Sequence, residues 1–125
     1  MANVLLVEDV KAVRFALGAV LRDRGHEVME ETDGTAAIRA TKEQKFDIVI
    51  TDVFMPALDG LELIRYLRQV RPELKIIAIS GGGARHTPEY AIDLASKLGA
   101  DIVMQKPIEN DDLLASIDSL LETAA

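Results

Sequence analysis

"DIVITDVFMP", residues 47–56, runs from one aspartate through Ile48, Val49, Ile50 and Thr51 to a second, Asp52, and breaks at Pro56. Four apolar or β-branched residues bounded in this way read as a short buried strand whose tip carries a charge. A carboxylate at a strand tip can simply be solvated, so the meaning of Asp52 depends on what the other strands bring to the same end.

Four further apolar runs resemble the first: Val4-Leu5-Leu6-Val7, Val28-Met29, Ile76-Ile77-Ala78-Ile79 and Ile102-Val103-Met104. Between them lie helix-length amphipathic segments. Val10, Val13, Leu17, Val20 and Leu21 keep helical spacing before Gly25. A weaker helix is expected from about Thr35 to Gln44. A third carries Leu61, Ile64, Leu67 and Val70 ahead of Pro72, and a fourth carries Ala91, Leu94, Ala95 and Leu98 ahead of Gly99. The last holds Leu113, Leu114, Ile117, Leu120 and Leu121. Five such β-α units predict an α/β fold, a doubly wound parallel sheet of five strands in three layers, because each crossover must return the chain to the same end. Runs one, three and four are apolar on both faces and belong in the middle. The second, "HEVMEE", has two apolar residues among charges and reads as an edge, which favours the order 2-1-3-4-5.

Composition narrows the function classes. At 125 residues with 49% hydrophobic residues the chain is read as one domain over residues 1–125, with enough apolar material for a core. A net charge of −7 and a pI near 4.8 argue against a nucleic-acid partner, since phosphate backbones are bound by clustered Lys and Arg. The absence of cysteine excludes disulfides and thiolate metal sites. "MANVLLVED" lacks the basic start and long apolar core of a signal peptide, and no apolar run approaches the ~18 residues of a membrane span. The expectation is a cytoplasmic protein with no membrane partner.

In an open doubly wound sheet the active crevice lies beyond the carboxyl ends of the strands. Those ends carry Glu8-Asp9, Asp52, Ser80 with Gly81, Gly82 and Gly83, and Gln105-Lys106-Pro107. Neighbouring strands lie about 4.8 Å apart, so Glu8, Asp9 and Asp52 should crowd together. Two unit charges at ~4 Å interact by about 1 kcal/mol in water and several times that in a partly buried cleft, so three carboxylates require a cation or partial protonation. Mg2+ suits the set: it is small and hard, takes one or two carboxylates and welcomes phosphate oxygens. Calcium and manganese also accept carboxylates, but no EF-hand spacing occurs. With a metal bound, Asp52 can attack a phosphoryl group while Lys106 and the Ser80 hydroxyl stabilise its oxygens. Lys106 stands two strands away, and a long flexible stem can span that gap. Each residue alone has an ordinary reading as a solvated acid, a surface lysine or a glycine loop. Their joint occurrence at four strand ends is what points to chemistry.

"ED" at residues 8–9, "TDVFMPALDG" at 51–60, "ISGG" at 79–82 and "KP" at 106–107 together resemble the response-regulator receiver domain, and the likeness to stand-alone chemotaxis-type regulators spans essentially the whole chain. The resemblance implies a flavodoxin-like fold and phosphorelay signalling in a two-component system. It implies a phosphoacceptor at Asp52 and Mg2+ held by Glu8, Asp9, Asp52 and the Phe54 main-chain carbonyl. It further implies a switch hydroxyl at Ser80, a phosphate-pairing Lys106, a cis bond to Pro107, and a histidine kinase or histidine phosphotransfer protein as donor. Such a protein is a phosphoacceptor that takes part in its own phosphorylation and dephosphorylation rather than an enzyme.

Two positions, Glu8 and Val103, depart from the family pattern, and a third, Phe54, bears on the lifetime of the phosphorylated state. Glu8 stands where Asp is more usual and is one methylene longer. Val103 replaces an aromatic ring whose rotamer reports phosphorylation, which shifts the expected output onto the loop and fourth helix. Phe54 lies where side chains influence how water reaches the acyl phosphate, and its bulk is expected to prolong the phosphorylated state. No effector region follows the last helix, so the output is expected through the fourth helix, fifth strand and fifth helix. His86 and His26 read as loop and turn residues, and the remaining Met residues as core filler. A haloacid-dehalogenase-type phosphatase would also use an aspartyl phosphate and Mg2+, but needs an Asp where Phe54 stands. A flavodoxin-like nucleotide or FMN binder is disfavoured by the acidic site and by "SGGGARHT", which lacks a P-loop ending.

Overall fold

The computed structural model describes residues 2–53, 59–81 and 88–123. Strands β1 (Asn3–Val7), β2 (Glu27–Glu31), β3 (Ile48–Asp52), β4 (Lys75–Ser80) and β5 (Ile102–Gln105) alternate with helices α1 (Lys11–Asp23), α2 (Gly34–Glu43), α3 (Gly60–Val70), α4 (Pro88–Leu98) and α5 (Asn110–Thr123). All strand pairs are parallel and the order is β2-β1-β3-β4-β5, as the apolar pattern predicts.

Two cores follow from the period-2 alternation of the strands. Leu5, Val7, Val49, Ile76 and Ala78 pack beneath α2, α3 and α4, against Ala37, Ala40, Leu63, Ile64, Leu67 and Ala95. Val4, Leu6, Ile48, Ile50, Ile77 and Ile79 face α1 and α5, where Leu17, Leu21, Leu113 and Ile117 complete the layer. Every residue of β3 is buried, whereas β2 and β5 are only half covered because each has a single neighbouring strand.

Local chemistry sets the ends of the helices. The Asp33 carboxylate accepts from the Ala36 N–H at 2.9 Å and caps α2; Asp59 accepts from the Glu62 N–H at 3.0 Å and caps α3. Gly25 and Gly99 take φ of 98° and 120° after α1 and α4, the left-handed conformation that favours glycine. The second helix begins one residue earlier than its periodicity suggests, because Asp33 rather than Gly34 supplies the cap.

His26 is a turn residue but not an exposed one. It is 8% accessible, its Nδ1 accepts from the Ala2 N–H at 3.1 Å, and burial lowers its pKa below the usual 6.5. The contact ties the segment entering β1 to the turn entering β2, alongside the Glu27 N–H to Ala2 carbonyl bond at 2.9 Å.

Candidate functional site

The register of the central strands assembles the site. Leu6 pairs with Ile50 and Val7 with Thr51, so the next step along β1 brings Glu8 beside Asp52. The same alternation that points Leu6 and Ile50 into the α1/α5 core aims Glu8 and Asp52 toward one side of the sheet rim. Both are buried, at 1% and 5% accessibility, and Asp9 is the least covered of the three acids. Carboxylate oxygens of Glu8, Asp9 and Asp52 all lie within 4.8 Å of one another.

Lys106 reaches this nest from the far side of β4. Its Nζ lies 2.7 Å from Glu8 Oε1 and 2.8 Å from Asp52 Oδ2. The stem passes Gly81, where an added Cβ would stand 3.3 Å from Lys106 Cδ, so the missing side chain leaves the path open. The Lys106 N–H donates to the Ser80 carbonyl at 2.9 Å, which fixes the root of the lysine against the end of β4. The following Lys106-Pro107 bond is cis, and Pro107 itself is exposed. Ser80 is buried at that strand end, opposite Gln105. Val103 pairs with Ala78 and packs half-buried on the α2–α4 side, a small aliphatic contact.

The electrostatics favour an added cation. Burial raises the Glu8 pKa from 4.5 to about 7; Lys106 opposes the rise, and the charge of Asp52 adds to it. Burial also works against the Lys106 ammonium, but its bonds to Asp52 and Glu8 and their charges outweigh it and raise the lysine pKa above 10.5. One ammonium therefore serves two buried carboxylates and leaves the nest negative. The donor set is all oxygen, compact and carboxylate-rich, which fits a hard divalent ion better than a soft one.

A pH dependence follows. Below about pH 7 the metal-free protein carries a proton on Glu8, and a cation must displace it. A Mg2+ ion held at this nest would bind up to about tenfold more weakly at about pH 6 than at about pH 7, with affinity levelling off above about pH 8, as calorimetric titration would read it. Stability without metal moves the other way. The folded pKa exceeds the unfolded one, so the Glu8 contribution is complete below pH 4.5 and is lost as pH rises through about 7.

Sequence reasoning missed two features of the site. Gly60 donates its N–H to the Val53 carbonyl at 2.9 Å, and a Cβ there would overlap the Asp52 carbonyl oxygen and crowd Val53 Cα at 2.8 Å. Arg14 Nη1 donates to the Glu8 carbonyl at 2.9 Å. The first shows in the sequence only as Asp-Gly opening a helix, the second only as a polar position on one. Phe54 with its carbonyl, Pro56, Gly82, Gly83 and His86 lie outside the described residues.

Comparison with known proteins decides the family: the response regulator receiver domain model matches residues 4–118. The chain is a receiver domain of the two-component response regulators. The response regulator receiver protein CpdR of Brucella abortus is 33% identical over 125 residues, covering 99% of this chain and 100% of that protein. The sensor kinase CckA of the same organism is 38% identical over 127 residues, but the matched segment is 13% of its length. Among solved structures, the NtrX receiver domain from Brucella abortus superposes with a TM-score of 0.89 at 29% identity, covering 97% of this chain and 99% of that one. A CheY-like receiver from Methanospirillum hungatei, at 23% identity and a TM-score of 0.91 over 99% of this chain and 96% of its own, shares the fold. The receiver belongs to a family of signalling phosphoacceptors that work in phosphorelays. Among the described residues no helix is long and apolar enough to cross a membrane.

Proposed function

We propose that the receiver takes a phosphoryl group from a phosphohistidine onto Asp52, in a reaction that requires Mg2+ at Glu8, Asp9, Asp52 and the Phe54 carbonyl. The observation that carries this reading is the joint approach of Lys106 Nζ to Glu8 and Asp52, at 2.7 and 2.8 Å, beside a third carboxylate. An Asp52 oxygen forms a bond to phosphorus as the phosphorus–nitrogen bond of the donor breaks. The electron pair stays on the imidazole nitrogen, and the ring leaves neutral when its other nitrogen holds a proton. Lys106 swings its ammonium from the carboxylates toward the phosphoryl oxygens, and the Ser80 hydroxyl approaches another. Bound Mg2+ supplies charge neutralisation at the nest. Hydrolysis reverses the state when water attacks the phosphorus and releases inorganic phosphate.

In this reading the donor is a histidine kinase or a histidine phosphotransfer protein, and residues 1–125 act as one cytoplasmic receiver. The output surface is formed by α4, β5 and α5. With Val103 in place of a ring, the change at Ser80 and Gly81 passes directly to the segment entering α4. The receiver is altered by each transfer and regenerated by hydrolysis, which distinguishes it from a turnover enzyme. No observation favours an aspartyl-phosphate phosphatase.

The test is intact mass after incubation with a small acyl phosphate. A gain of one phosphoryl group with Mg2+, and none with chelator, is expected. Equal gain in both would remove the metal from the mechanism. Phe54 bears on lifetime: Phe54→Asn is expected to lose phosphate several-fold faster by admitting water, and an unchanged decay rate would assign that side chain to packing alone.

A further inference from the structure

The Glu8 main chain is held by a side-chain network that the phosphoryl chemistry does not itself use. Arg14 is largely covered, with 12% of its side chain accessible, and Nη1 donates to the Glu8 carbonyl at 2.9 Å. Its Nε lies 3.4 Å from Glu30 Oε1 on β2, and Arg22 Nη1 holds the other Glu30 oxygen at 2.7 Å. Arg22 in turn donates through Nη2 to the Val28 carbonyl at 3.0 Å. Gly18 makes room for this arrangement: an added Cβ would stand 2.9 Å from Glu30 Oε2 and 3.0 Å from Arg22 Nη1. The network converges on a residue fixed elsewhere too, since the Glu8 N–H donates to the Glu31 carbonyl at 3.1 Å and Glu8 Oε2 accepts from the Val10 N–H at 3.2 Å.

We propose that Arg14 is a positioning residue for cation binding: it locks the Glu8 backbone at the tip of β1, and Glu30 locks Arg14. The proposal rests on the reading of the acidic nest as a Mg2+ site. Two forces compete. The guanidinium charge near the nest repels a cation, whereas the fixed carbonyl keeps the Glu8 carboxylate aimed inward. A carbonyl bonded to a covered arginine cannot rotate without losing a charge-assisted hydrogen bond, so orientation dominates. Groups that orient metal ligands from outside typically change affinity by about 10- to 100-fold when removed.

The test compares Mg2+ uptake by calorimetry in wild type, Arg14→Ala, Arg14→Lys and Glu30→Gln at one pH, with thermal melts as the control for folding. Arg14→Ala is expected to bind about tenfold more weakly, Glu30→Gln about threefold more weakly, and Arg14→Lys within about threefold of wild type, because lysine restores one donor to the Glu8 carbonyl. At saturating Mg2+ the phosphorylation rate of Arg14→Ala should return to within about twofold of wild type, separating binding from chemistry. Unchanged or tighter binding in Arg14→Ala overturns the proposal. Should that variant unfold, unchanged binding in Glu30→Gln overturns it equally. A wild type that takes up no Mg2+ sinks the nest as a metal site and this proposal with it, whereas normal wild-type uptake with indifferent variants sinks this proposal alone.

Discussion

Asp52→Ala is expected to reduce phosphoryl uptake from an acyl phosphate donor to background while leaving a folded protein. Asp52 shares the Lys106 ammonium with Glu8, and the lysine stem reaches both over Gly81. Asp9 is less covered, and Glu8 engages both of its oxygens, Oε1 with Lys106 and Oε2 with the Val10 N–H. Truncation removes the proposed nucleophile but leaves Lys106 paired with Glu8, and the strand hydrogen bonds of β3 do not involve the side chain. A melting temperature close to wild type with no mass gain is therefore the expected pair of results. Uptake that survives in Asp52→Ala would move the acceptor elsewhere.

Gly60→Ala should be the most damaging single-methyl addition at the site. The new Cβ would collide with the Asp52 carbonyl oxygen and carbon, main-chain atoms of a central buried strand that cannot swing aside. Relief requires moving the start of α3 or the end of β3, and overpacking against main-chain atoms belongs at the upper end of the usual range, about 3 kcal/mol. Because the strained atoms belong to Asp52, phosphorylation should fall along with stability. Gly81→Ala is the matched comparison. Its Cβ meets the middle of a flexible lysine stem at 3.3 Å, so a cost within about 1 kcal/mol is expected. Urea denaturation of the two variants would check the contrast, and equal costs would contradict it.

The sheet was legible because its signal is local and repeated. Ile48 to Thr51 and Ile76 to Ile79 are apolar on both faces, which only a doubly covered central strand explains, while the charges around Val28 and Met29 mark an edge. The acidic nest was legible because strand ends in a parallel sheet must share one rim. The same geometry brings Lys106, at the end of β5, to within 2.8 Å of Asp52. What escaped was decided by packing between distant segments. Arg14 and Glu30 meet only because α1 lies over β2 with Gly18 between them, and nothing in either residue's neighbourhood announces the pair. Gly60 looks like any helix-opening glycine until the Asp52 backbone is brought against it. His26 shows in the sequence only as a turn residue beside Gly25, and its buried contact with the Ala2 N–H depends on a segment 24 residues away.

In the proposed chemistry a single oxygen of one side chain accepts phosphorus beside a lysine and a metal. The most direct measurement is borohydride trapping of wild type treated with acyl phosphate and Mg2+, followed by peptide sequencing, since an acyl phosphate at an aspartate is reduced to homoserine. Homoserine confined to position 52, and absent when Mg2+ is chelated, is the predicted result. Reduction at another position, or at position 52 regardless of Mg2+, would contradict the account.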